Sequence, residues 1–190
     1  MTRLPLRLGV VYDFRNSPDS GIATPRLYAE ILDQVAWLDG LGLDLVWFTE
    51  HHFVEAGYLP SWTPVAGAMA ARTSRVRFSS DICLLPFSHP VRLAEDLAVL
   101  DNISGGRLEL GVGMGYAPHE FRGFGIPLPQ RLSRTEERLE VLTRHLALLP
   151  GAARGHHGAA GGGGTTEAKL KIASRWAPQG GGMSSMSTRA

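Results

Sequence analysis

Leu45-Val46-Trp47-Phe48-Thr49-Glu50-His51-His52-Phe53 is the stretch whose reading decides the fold. Its first four residues are apolar without a gap, so both faces of the segment suit burial. That is the pattern of a strand in a parallel sheet, where helices cover the faces. A carboxylate and two imidazoles follow at once, and reactive groups belong where such a strand ends.

The same alternation extends in both directions. Leu6 to Tyr12 reads as a short buried strand. Thr24-Pro25 opens a helix, with the hydroxyl expected to cap it and proline in its first turn. Ile31, Val35 and Leu38 recur at helical spacing until Gly40 and Gly42 end the pattern. Pro64 to about Arg72 reads as a small-residue helix. Val76, Phe78, Ser80, Ile82 and Leu84 alternate with Arg77, Ser79, Asp81 and Cys83, which predicts a third strand. Ser88 is placed to cap a helix opened by Pro90, whose apolar stripe is Leu93, Leu97 and Leu100. Gly105-Gly106 closes that unit, Leu108, Leu110 and Val112 make a fourth strand, and Leu132, Leu139, Leu142 and Leu146 mark a last helix. Strands are thus expected near 6–12, 44–49, 76–84 and 107–113. Four strand–helix units in a row imply an α/β fold with a parallel sheet and right-handed crossovers. Periodicity leaves open whether the sheet is doubly wound or part of an eight-stranded barrel.

The composition fits a globular protein without a membrane span. Of 190 residues, 44% are hydrophobic and 19% charged. No apolar run approaches the roughly 18 residues of a membrane span. Met1 to Pro5 runs straight into a strand pattern, so no signal peptide is expected. Cys83 is the sole cysteine, so no internal disulfide can form, in keeping with a cytoplasmic location. A formal net charge of +1 gives no sign of a nucleic-acid partner.

That charge is unevenly spread. Residues 1–149 carry 14 basic and 17 acidic side chains, and residues 150–190 carry 5 and 1. Both lysines, Lys169 and Lys171, lie in the second piece, with 10 of the 23 glycines and one aromatic residue, Trp176. Such a segment buries too little apolar surface to offset the entropy of ordering it. The chain therefore divides into a folded body, 1–149, and a Gly/Ala/Ser-rich tail, 150–190, expected to be disordered and outside the core.

Three stretches carry candidate chemistry. Histidine titrates near neutral pH and can relay a proton, which makes Glu50-His51-His52 the sharpest; a purely structural histidine pair is the competing reading. A zinc site is disfavoured. The spacing is not His-Glu-x-x-His, and neighbours in an extended segment point to opposite sides. Gly111-Val112-Gly113-Met114-Gly115-Tyr116 allows close backbone approach to a ligand, or simply a tight turn at a barrel rim. It is no dinucleotide fingerprint, because Tyr116 stands where the third glycine belongs. In the third stretch, Leu85 to Pro90, His89 reads as a loop histidine. Cys83, just before it, reads as a small buried hydrophobe.

Trp47 to Phe53 resembles the segment that bears the active-site histidine of bacterial luciferase-like monooxygenases. Leu85-Pro86, His89-Pro90-Val91-Arg92, Glu95-Asp96, Leu100-Asp101 and Ser104-Gly105-Gly106-Arg107 resemble that family's most recognisable stretch, and Phe121-Arg122 and Phe124-Gly125 continue the likeness. The resemblance covers roughly residues 6 to 146. It implies a TIM-type (β/α)8 barrel, of which this chain holds about the first four units, with a flavin at the carboxyl ends of the strands. It implies His51 as the catalytic histidine. It places Ser80, Asp81 and Ile82 beside the flavin ring, with a non-proline cis peptide at Asp81–Ile82. Gly113 and Met114 complete the implied cofactor contacts, although Met114 stands where luciferases carry an arginine that helps hold the flavin phosphate. The implied reaction uses reduced FMN, or alternatively a deazaflavin, and O2 to oxygenate a small organic substrate. A flavin reductase would be an indirect partner, and self-association is expected.

The resemblance ends near Leu146, where the family would continue through four more units. The change of composition there reads as a truncation, a frameshift or an unrelated extension. The alternative function is therefore a non-catalytic remnant or an interaction module. The expectation for this chain alone is that it associates with itself and binds FMN weakly or not at all.

Overall fold

The computed structural model describes residues 6–55, 57–149 and 172–174. Strand β1 (Gly9–Tyr12) leads into α1 (Thr24–Leu41), β2 (Leu45–Phe48) and α2 (Trp62–Ala70). Strands β3 (Arg77–Ser80) and β4 (Cys83–Leu84) precede α3 (Pro90–Ser104). Strand β5 (Leu108–Gly113) is followed by the short α4 (Pro118–Gly123) and by α5 (Arg131–Leu148). Ile172–Ser174 form β6. Among the described residues every strand pair is parallel: β1 on β2, β2 on β3 and β3 on β5, with β4 and β6 also on β5. β6 falls within the tail; the rest of that segment lies outside the described residues.

Register sorts the two faces of the sheet, because partners in a parallel ladder point the same way. Val46, Phe78 and Leu108 line up on one face and are buried in the core. Val35 of α1, Met69 of α2, Leu97 of α3 and Leu142 of α5 belong to that same core. Val11, Trp47, Ser79 and Glu109 line up on the other face, where Val11 is 54% exposed. The helices therefore pack on one side, and the opposite side carries a mixed row that includes the Arg77–Glu109 ion pair at 2.6 Å.

Several local expectations are corrected. The third strand is not continuous over 76–84; it breaks at Asp81 and Ile82, whose peptide bond is cis. Ser79 pairs with Glu109 and Cys83 with Val112, so four steps on one strand match three on the other. That is one extra residue, a bulge at the carboxyl end of the sheet. Thr24 is already inside α1, and the cap position is Ala23, without a side-chain bond. The Thr24 hydroxyl instead accepts from Asn16. Likewise His89, not Ser88, occupies the cap of α3. Of the expected glycine stops, Gly42 and Gly105 take positive φ at the ends of α1 and α3, whereas Gly40 lies inside α1.

Candidate functional site

The site grows from the end of β2. Backbone bonds fix the exit of the strand: Thr49 N donates to Tyr12 O and His51 N to Leu59 O. Phe53 then takes a φ of 57°, which turns the chain sharply. Between these points Glu50 and His52 lie to one side and are joined to each other, with His52 Nε2 2.9 Å from Glu50 Oε1. The other Glu50 oxygen accepts from Leu84 N at 3.1 Å. The His52 ring is enclosed by Phe87 and Phe124, which stack on each other with centroids 4.5 Å apart.

His51 points elsewhere. Its ring packs edge-on against Tyr58 and Tyr116, at centroid distances of 5.0 and 6.4 Å. Its side chain is 28% exposed, against 13% for His52. Nδ1 of His51 lies 3.2 Å from Glu120 Oε1, and the same oxygen accepts from His52 N at 2.9 Å. Glu120, on α4, is 1% exposed. Sequence reasoning missed it, since it lies 69 residues from His51 and no local pattern ties the two. The one usable signal was Ala117-Pro118, a helix start that puts Glu120 in a first turn.

The other expected site residues gather at the bulge, with differing duties. The Ser80 hydroxyl donates to Gly111 O at 2.7 Å and accepts from Gly111 N at 3.2 Å. It thereby satisfies the two backbone groups of Gly111 beside the interrupted ladder, so that side chain is committed to the sheet. Asp81 N donates to Phe48 O. Ile82 spreads over the two glycines: a Cβ on Gly113 would collide with its side chain, and one on Gly111 would collide with Ser80 O. Gly113 is thus glycine because Ile82 occupies its side-chain space. Met114 follows, half-buried. Cys83 is buried, and burial followed by the nearby Glu50 pushes its thiol up, so it is no nucleophile. A cavity of about 250 Å3 lies beside His52, lined among others by Glu50, Trp62, Cys83, Phe87 and His89. His51 is not among its walls.

This end of the sheet suits the ring system of a flavin better than its phosphate. Ile82 over the glycines makes an apolar shelf, and the Thr49 hydroxyl is buried with no hydrogen-bond partner, a group that a ligand could satisfy. Met114 to Ala117, by contrast, offer no cation. Among the described residues no group of three or more His, Cys, Asp or Glu is placed to hold a metal ion. No described helix is long and apolar enough to cross a membrane.

Comparison with known proteins agrees with this fold. The sequence profile of the luciferase-like monooxygenases matches residues 6–164. The monooxygenase RslO1 from Streptomyces bottropensis superposes with a TM-score of 0.68 at 36% identity, over 73% of this chain and 42% of that one. The FMN complex of the oxygenating constituent of 3,6-diketocamphane monooxygenase from Pseudomonas putida gives 0.67 at 23% identity, over 73% and 38%. An F420-dependent secondary alcohol dehydrogenase with an F420–acetone adduct gives 0.58 at 23%, over 74% and 42%. Proteins of this fold thus include users of FMN and of F420. The chain spans between about a quarter and two fifths of the length of the curated relatives it matches, 33% and 38% for two of them. Its sheet is accordingly the α/β arrangement of part of a TIM-type barrel.

Proposed function

Because the chain belongs to the luciferase-like monooxygenase family, we propose that it provides the proton-handling part of a flavin-dependent monooxygenase site, with His51 as the working acid–base group. The observation that carries this is the placement of His51. It stands at the carboxyl end of a parallel strand, with a half-exposed ring between two tyrosines and a buried carboxylate behind it. Ile82, Gly113 and the backbone of Ser80 and Asp81 would hold the flavin ring, with Met114 toward its phosphate. When bound and reduced, the flavin would supply the electrons for O2 activation. His51 would give or take the proton at its free ring nitrogen, with Tyr58 and Tyr116 packed edge-on against its ring. The substrate class is a small organic molecule. FMN is the favoured cofactor and a deazaflavin the alternative. A separate reductase would deliver reduced flavin, and self-association is part of the same proposal.

Titration of the 190-residue chain with oxidised FMN, followed by flavin fluorescence, tests the cofactor reading. The expected result is saturable but weak binding, with a dissociation constant above about 10 μM. The same constant is expected for His51→Ala, since His51 handles protons rather than holding the ring. Fluorescence that never departs from that of free FMN would overturn the proposal that this chain itself holds the flavin and leave the non-catalytic remnant as its function.

A further inference from the structure

We infer that Glu120 is the positioning residue for His51: it holds Nδ1–H and leaves Nε2 as the nitrogen that exchanges protons. The argument begins with the oxygen they share. Oε1 of Glu120 accepts from the backbone N–H of His52 at 2.9 Å, and a backbone N–H can only donate. A carboxyl hydroxyl oxygen is a poor acceptor, so Oε1 carries no proton of its own. The hydrogen in the 3.2 Å contact with His51 therefore sits on Nδ1. The bond made by one imidazole nitrogen decides the state of the other, so Nε2 is left with its lone pair. An imidazole without such a partner favours the opposite tautomer, with the proton on Nε2.

The neighbouring histidine sharpens the point. His52 is held through Nε2, by Glu50, inside a ring of phenylalanines. Two adjacent histidines are thus fixed by two different carboxylates through opposite ring nitrogens, and His51 is the more exposed of the two. Glu120 has almost no exposed surface, and a buried carboxylate is costly unless donors satisfy it. The Nδ1–H and the His52 N–H are such donors, so the acid and the imidazole hold each other. Because Glu120 rides on α4, the arrangement also ties the loop after β2 to the loop after β5.

The inference deepens the reading of His51 as the working base, and the test separates the two. Long-range proton–nitrogen spectra of the full chain, labelled with 15N-histidine and recorded at about pH 8.5, above the usual imidazole range, report which nitrogen of His51 bears the proton. The expected wild-type spectrum has Nδ1 protonated and Nε2 bare. Glu120→Ala should invert the ratio, making Nε2–H the dominant form. Glu120→Gln, which has the same shape and an amide oxygen that can still accept, should keep Nδ1–H. A wild-type spectrum dominated by Nε2–H overturns the inference even if Glu120→Ala does not fold, and so does an Ala variant indistinguishable from wild type. The rate of reduced-FMN oxidation gives the second readout. A fall of roughly 100-fold in Glu120→Ala supports positioning for catalysis. An inverted tautomer with an unchanged rate would leave the geometry standing and remove His51 from the chemistry.

Discussion

Asp39 and Arg107, at the amino ends of the strands, and Glu50 and Glu120, at the carboxyl ends, are charged groups held wholly or partly away from water, and they are satisfied differently. Asp39 accepts from the backbone N–H groups of Ser74, Arg75 and Val76, just where β3 begins. Arg107 donates to Ala70 O, Thr73 O, Val76 O and Ser104 O, and lies 5.1 Å above the Phe78 ring. These two side chains are staples: Asp39 ties α1 to the entry of β3, and Arg107 ties the ends of α2 and α3 to the sheet. At the other end the partners of the acids include imidazoles, rings that can donate or accept at either nitrogen. If His51 has the role proposed above, the amino end of this sheet is built to stay as it is, while one of the two acid–imidazole pairs at the carboxyl end exchanges protons and the other, Glu50–His52, is structural.

Arg107→Ala should break the comparison most visibly. It leaves several carbonyls without their donor and removes a cation stacked on Phe78. The expected loss is about 3 kcal/mol, a drop in melting temperature of roughly 10 °C. Lysine should not rescue it, because one ammonium cannot reach the same spread of acceptors. A melting temperature within roughly 2 °C of wild type would show that the staple is ornamental.

Asp39 gives a smaller and pH-dependent effect. Burial works against its carboxylate, but the hydrogen bonds from Ser74, Val76 and Arg75 outweigh it and hold the group below its ordinary range. A carboxyl lowered in the folded state contributes stability above its unfolded value, near 3.9, and loses that contribution as pH falls through the folded value. Asp39→Asn should therefore cost about 1–2 kcal/mol at neutral pH and show a shallower loss on acidification. Urea melts at pH 7 and pH 3 would check this; equal losses at both would assign the effect to shape rather than charge.

At the amino end the helix stop was legible in the sequence because its logic is local, whereas the partners of Asp39 and Arg107 across more than 30 residues were not. Ser104-Gly105-Gly106-Arg107 reads as a helix stop followed by a strand, and the structure places the arginine under that stop. Helix spacing likewise marked Val35, Leu97 and Leu142 for the core. The carboxyl end was legible only in part. His51 stood out because it follows an apolar strand directly. Glu120 did not, because its partner is distant in sequence and its helix is six residues long. The break at Asp81 and Ile82 was invisible to alternation, since the apolar and polar positions continue through it. Ser80, singled out for the cofactor, was not foreseen to spend its hydroxyl on Gly111. A strand pattern records which residues face which side, not where a ladder skips a residue.

The account rests on His51 serving chemistry and His52 serving structure, and one paired measurement addresses that directly. Melting temperature and the rate of oxidation of reduced FMN by O2 would be recorded for the 190-residue chain, His51→Ala and His52→Ala. The account predicts that His51→Ala keeps the wild-type melting temperature and slows oxidation roughly 100-fold. It predicts that His52→Ala melts several degrees lower, because Glu50 loses its partner inside the aromatic cluster. A His51→Ala chain that oxidises flavin at the wild-type rate, or that unfolds as readily as His52→Ala, would contradict it.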